Sequence, residues 1–259
     1  MNVAAFRGLA LEARSSVQAI RGELAASASG RVVVSGMLAE QLARELGAGA
    51  QPGAVTVGDE VRGAAVVVRV IAGEPSEEDL AVVRAADAVA IPVVLVQLWP
   101  QPEWRAPFVL SPFVVECRTG EGFPVAEIAS RIALAVENPP ALAVRVPVLA
   151  DAAESSVVRS AIARAALLAL AGVPGSRAGI ALEQSRMLGR LRALDPPAEP
   201  DHPAVVAGAV AATLGASYAL RSAARGARRA LPMRVVDPLI AAGGTLALAQ
   251  VLRVLKARL

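Results

Sequence analysis

The chain of 259 residues is poor in the residues that usually carry chemistry. It has one cysteine, Cys117, and one histidine, His202. No disulfide can close within it, and no zinc site of the usual Cys/His kind can be assembled. A reducing, cytosolic setting follows as the expectation. Aromatic residues make up 3% of the chain, which argues against a nucleic-acid binder that stacks bases on rings. Of the 26 basic residues one is a lysine, Lys256, and the other 25 are arginine. Any chemistry that needs a lysine away from the C-terminus is therefore excluded.

What is present is apolar and small. The hydrophobic fraction is 55%, enough for a sizeable core built on alanine, valine and leucine. The first residues, MNVAAFRGLALEARSSVQ, have no apolar stretch of signal-peptide length. Phe6, Leu9, Ala10, Ala13, Val17 and Ile20 instead recur at helical intervals and predict a helix over 3–27. The charge is unevenly placed. From Pro203 onward eight basic residues face one acid, Asp237, which gives +7; a net charge of +3 leaves −4 for residues 1–202. Such a basic end suits an acidic partner or an anionic membrane surface.

Short apolar runs then alternate with helical stretches. RVVVS (31–35), AAVVVRVI (64–71), IPVVLVQL (91–98) and PFVVEC (112–117) read as strands, and AVTV (54–57) as a short edge strand. Helices are expected at 37–46, closed by Gly47, at 75–87, capped by Ser76 with acids in the first turn, and at 123–137. The strands are continuously apolar rather than alternating, the mark of parallel strands covered on both faces. After Asn138-Pro139-Pro140 the strand signals stop, and 151–173, 180–194, about 204–230 and 236–257 read as helices. The expected fold is α/β, a small mostly parallel sheet with flanking helices, followed by an all-α part. The expected division is an N-terminal helix over 1–28, an α/β domain over 29–140 and a helical domain over 141–259.

The order of elements over 31–138 resembles the G domain of bacterial Era-like GTPases, stripped of its motifs. A phosphate-binding loop would read G-x-x-x-x-G-K-[ST] after the first strand. Gly36 takes the first position, but Gln41, Leu42 and Ala43 stand where Gly-Lys-Ser belongs. Gly58-Asp59-Glu60 lies where D-x-x-G is expected, in an interval too short for switch loops. Gln97, Leu98, Trp99 and Pro100 replace N-K-x-D. ECRTGEGFPVAEI (116–128) resembles the last loop of the family and its helix. Phosphoryl transfer depends on Mg²⁺, a lysine and backbone donors, so no catalytic residue, metal or cofactor is expected. Gly36 is left as a weak anion-site candidate at a helix N-terminus, set against a plain strand-to-helix turn. Trp99 and Trp104 flank the loop after the third long strand, where open α/β sheets bind ligands. They suit a partner contact, a pocket cover or simple loop packing.

The second half, VPVLADAAESSVVRSAIARAALLALAGVPGSRAGIALEQSRMLGRL (146–191), resembles the helical domain of unknown function at the C-terminus of YcjF-type inner-membrane proteins. The shared features are a helix ending at Val173-Pro174-Gly175 and a following helix with Gln184 and Met187. Segments 205–232 and 241–250 fit actinobacterial members that join a decayed G domain to this unit. That family supplies no reaction. In 204–220, Gly208 and Gly215 belong to a small-residue face, with Ala241, Gly244, Thr245 and Leu248 as its expected partner. Together they make a helical hairpin over 203–257, read as a soluble hairpin or a membrane-embedded one. Between them lie Arg221, Arg225, Arg228, Arg229 and Arg234, suited to a cytoplasmic anionic surface.

The implied function is a non-catalytic pseudo-GTPase, a scaffold or regulatory partner acting in the cytoplasm or at the inner-membrane surface. Its expected partner is another protein, a neighbouring intact GTPase or a second copy being candidates, or an anionic membrane. Two alternatives remain: a nucleotide binder with atypical contacts around Gly36 and Trp99, and a membrane-anchored component.

Overall fold

The computed structural model describes residues 30–100, 109–110, 113–117, 122–171, 176–194 and 233–256. They fall into two compact units, divided between Ser156 and Val157. The expected helix over 3–27 and the segment 204–230 lie outside the described residues.

The first unit is α/β. Its strands are β1 (Arg31–Gly36), β2 (Val55–Val57), β3 (Ala64–Ala72), β4 (Val93–Leu98) and β5 (Val114–Cys117). Helix α1 (Ala39–Leu46) follows β1, α2 (Glu77–Ala88) follows β3, and α3 (Val125–Ala135) and α4 (Pro139–Arg145) follow β5. The sheet runs β2-β1-β3-β4-β5 with every pair parallel. This is a common doubly wound order, and its direction of winding reverses between β1 and β3.

The continuous apolar runs are buried on both faces. Val33, Val67, Val61, Val82 and Ala86 form one cluster, and Ile71, Val83 and Leu95 another, so α2 covers this face. The alternate residues, among them Val32, Val34, Val66, Val68, Val94 and Val96, turn the other way, towards α1 and α3. Leu42, Leu46, Ile128 and Ile132 are fully buried there. Each such side chain contributes about 1.5–3 kcal/mol relative to exposure.

Three local features bear on the site. First, α1 begins at Ala39, two residues later than the helical spacing suggests, because Met37 and Leu38 belong to the turn. Second, β2 is joined to β3 by residues 58–63 alone, with no helix between. Parallel crossovers usually take a dozen residues or more. Here β2 has three residues and only β1 is stepped over, so a link of six residues, bent at Gly58 and turned at Arg62-Gly63, reaches across. Val61 anchors this strap in the core. Third, Pro139-Pro140 opens α4 instead of merely ending the α/β pattern. Asn138 caps it through Oδ1 on the Ala141 amide, and proline suits the first helical turn. Arg145 at its end donates to the Gly30 carbonyl, just before β1.

The second unit contains most of α5 (Ala150–Ala171), with α6 (Ser176–Ala193) and α7 (Met233–Lys256). Val157, Val158, Ala161, Met187, Leu191, Leu248 and Ala249 form its core. Gln184 Nε2 donates to Thr245 Oγ1 at 3.3 Å, and that hydroxyl donates to the Ala241 carbonyl at 2.9 Å. Thr245 is fully buried, so this pair satisfies polar groups in an apolar interface. On the α7 face expected to meet 204–220, Thr245 meets α6 and Leu248 joins the α5 and α6 cluster, while 204–220 itself lies outside the described residues. Among the described residues no helix is long and apolar enough to cross a membrane.

Candidate functional site

In an open parallel sheet, ligands bind outside the carboxyl ends of the strands, at the point where the winding reverses. Here that place lies between β1 and β3. Gly36 closes β1 with φ +90° and pairs with Val70 of β3. A Cβ at Gly36 would stand 2.0 Å from the Val70 carbonyl oxygen. Only glycine fits, and the reason is contact with β3. The next amide, Met37 N, donates to that same carbonyl at 3.1 Å. A phosphate loop aims such amides at its ligand; this one is already engaged. Leu38 then takes a left-handed conformation (φ 55°) at the start of α1 and makes no side-chain cap.

The face beside this crossing carries a buried arginine. Arg69, in the middle of β3, is 4% exposed. Its Nε donates to Asp79 Oδ1 at 2.8 Å, and its Nη1 to Asp59 Oδ1 at 2.6 Å. Asp59 belongs to the strap and Asp79 to the first turn of α2, so one guanidinium clasps both to the sheet. Asp79 also accepts from the Ser76 amide and the Ser76 hydroxyl through Oδ2, while the Asp79 amide donates to Ser76 Oγ. This reciprocal capping box fixes the start of α2. Burial pushes the Asp79 carboxyl up, but the Ser76 donors and the Arg69 guanidinium outweigh it and hold the pKa below its ordinary 3.8.

Two more polar side chains lie on Arg69's face, Ser35 of β1 in register with Arg69, and Gln97 of β4 in register with Ile71. Both are buried, and among the described residues Ser35 Oγ and Gln97 Nε2 have no hydrogen-bond partner. Sequence reasoning passed over Arg69 and Ser35. A signal existed: one charge inside AAVVVRVI must be paired if the run is buried. Gln97, read as part of a lost base-recognition motif, points into this face instead.

The other expected site residues are placed as follows. Trp99 follows β4 directly, is 54% exposed and has φ 54°. Trp104, Gly208, Gly215, Arg221, Arg225, Arg228 and Arg229 lie outside the described residues. Arg234 is the second residue of α7, and its side chain is outside the described set. Cys117 ends β5, buried, its thiol pushed up to about 11 by burial and then by the nearby Glu127 charge. Such a thiol is a packing group rather than a nucleophile. In the helical unit, a cleft of about 10 Å³ lies beside Arg164, Glu183 and Arg186, room for one water molecule. Glu183 accepts from both arginines there.

Compared with models of known protein families, with curated proteins and with solved structures, the chain has no match.

Proposed function

We propose that this chain is a non-catalytic interaction protein: an α/β body of G-domain type that no longer handles nucleotide, joined to a helical unit, acting as a scaffold or regulatory partner. One observation carries the reading. The first amide after Gly36, Met37 N, donates to the Val70 carbonyl of β3, and the stretch where a phosphate loop would run is already helix from Ala39, with Gln41 N and Leu42 N donating to the Leu38 carbonyl. Asp59, the carboxylate nearest to where a Mg²⁺ ligand is expected, is held by the Arg69 guanidinium. A fixed cation already neutralises that carboxylate, and no lysine lies in the unit to offset phosphate charge.

Calorimetric titration of the full chain with GTP, GDP and ATP in the presence of Mg²⁺ tests this. The expected result is no heat of binding at micromolar nucleotide; saturable micromolar binding overturns the proposal. Placement at the cytoplasmic face of the inner membrane is the finer part of the reading. Its support is the +7 charge over 203–259, which attracts anionic lipid. Salt-sensitive co-sedimentation with anionic vesicles, absent with neutral ones, is expected; equal sedimentation with both removes that part.

A further inference from the structure

We infer that the carboxyl edge of the sheet is a docking surface for a positively charged protein segment bearing a large apolar side chain. This rests on the interaction reading above and names the chemistry of the partner.

Four large apolar side chains are about half exposed along this edge. Val57 ends β2 (52%), Met37 (49%) and Leu38 (52%) follow β1, and Trp99 (54%) follows β4. Met37 is drawn over the end of β3 by its bond to Val70, and the Gly73 amide ties the end of β3 to Leu98, next to Trp99. The apolar residues therefore lie on neighbouring loops across one edge rather than scattered over the surface. A grouped, exposed apolar patch within a polar rim marks a protein-binding site. Tryptophan anchors are enriched where such contacts carry energy.

The backbone supports the same reading. Leu38 and Trp99 both hold left-handed φ values, 55° and 54°. Bulky residues seldom adopt this conformation, and where they do the site is often a binding site. Glycine or asparagine would hold either turn more easily. At both places the chain keeps a large apolar side chain and leaves it half in solvent.

The rim fixes the sign of the partner. Glu40 in the first turn of α1, Glu74 after β3, and Glu77 and Glu78 at the start of α2 are all exposed. Among the described residues no cation pairs with Glu40, Glu74 or Glu78, while Glu77 meets Arg84. Among the described residues the cation beside this edge, Arg69, is buried and engaged by Asp59 and Asp79. Acids also occupy the first turns of α1, α2 and α3, the three helices that begin at this edge, so they offset the helix dipoles that would attract an anion. Among the described residues the edge is thus apolar at its centre and negative around it. A cationic segment complements it, and phosphate does not.

Fluorescence anisotropy with the full chain and fluorescein-labelled twelve-residue peptides tests the inference. The probes are an arginine-rich peptide with one central leucine, the same peptide with arginine replaced by glutamine, and the arginine peptide with the leucine replaced by alanine. The first is expected to bind, to weaken about tenfold or more between low and high salt, and to bind better than both controls. Leu38→Gly and Trp99→Gly are each expected to weaken it about tenfold, with circular dichroism and melting temperature near the parent's. Leu38→Asn is a second variant that accepts the left-handed turn. Failure of the arginine–leucine peptide to bind, or binding that ignores these substitutions, overturns the inference. Tight binding of the glutamine peptide overturns the charge assignment and with it the partner named. If nucleotide binds and Leu38→Gly abolishes it, the interaction reading fails too; if neither peptide nor nucleotide binds, only this inference fails.

Discussion

Replacing Arg69 by methionine should loosen the strap and α2 together. Methionine keeps much of the apolar stem that packs in β3, so the change mainly removes the guanidinium. Two charge-assisted bonds go with it. The one to Asp79, whose side chain is 14% exposed, is shielded from water, and such bonds contribute about 1.5–3 kcal/mol each. The one to Asp59 involves a half-exposed carboxylate and is discounted to about 1 kcal/mol or less. Against these stands the relief of burying a charged guanidinium, which reduces the net cost of losing such a pair. The expected loss at pH 7 is about 1–3 kcal/mol. Urea unfolding followed by tryptophan fluorescence reads it, since Trp99 and Trp104 are the chain's two tryptophans and both lie within 22–156. The pH dependence has a definite sign. Asp79 is held below 3.8 in the fold, so its contribution is present above that value and is lost as pH falls through the folded pKa. Part of that lowering comes from Arg69, so the gap between parent and variant should narrow below about pH 4. Arg69→Met combined with Asp79→Asn should also cost less than the two single changes summed, by about 1 kcal/mol or more. A loss below about 1 kcal/mol at pH 7, or a gap that stays constant down to pH 3, would refute the clasp.

Other substitutions probe separate features. Cys117 is raised to about 11, so stability should be full below pH 9 and fall by about 2 kcal/mol between pH 9 and 11. Cys117→Ala should flatten that decline; an identical decline in the variant removes the assignment. Ala90 is exposed with φ 54°, and Ala90→Gly should stabilise the unit by about 0.5–1 kcal/mol in urea, since strain relief exceeds the entropy cost of glycine. A destabilised variant contradicts this. Ser35→Ala removes a buried hydroxyl without a partner among the described residues and should be neutral or stabilising by up to about 1 kcal/mol. A loss beyond that would mean that an ordered water satisfies Ser35.

The sheet was legible because its signal is local. RVVVS and AAVVVRVI are continuously apolar, and only strands covered on both faces tolerate that. Ser76 with acids behind it announced the start of α2, and the structure adds the full capping box through Asp79. The site was not legible because its parts are ten residues apart on either side of Arg69 and meet only through register. No local pattern says that Asp59 and Asp79 converge on one guanidinium. The lone arginine did say that something must. Residues 37 and 38 misled for another reason. They are apolar at helical spacing, yet Gly36 must cross the end of β3, and that crossing delays the helix to Ala39.

The crossing at Gly36 also limits what a sequence match to a phosphate loop can mean. The first glycine of such a loop lets the chain turn while leaving the following amides free. At Gly36 the same freedom is used for close approach, since any Cβ would strike the Val70 carbonyl. The amide of Met37 satisfies that carbonyl, which would otherwise sit at the end of β3 needing a donor. One amide cannot serve both the strand and a ligand. Building a phosphate site here would therefore take more than placing Gly-Lys-Ser at 41–43. The turn would have to lift from β3, expose the Val70 carbonyl and free Asp59 from Arg69. The apolar residues that now face solvent at this edge, Met37 and Leu38, are placed there by the same crossing that closes the phosphate position.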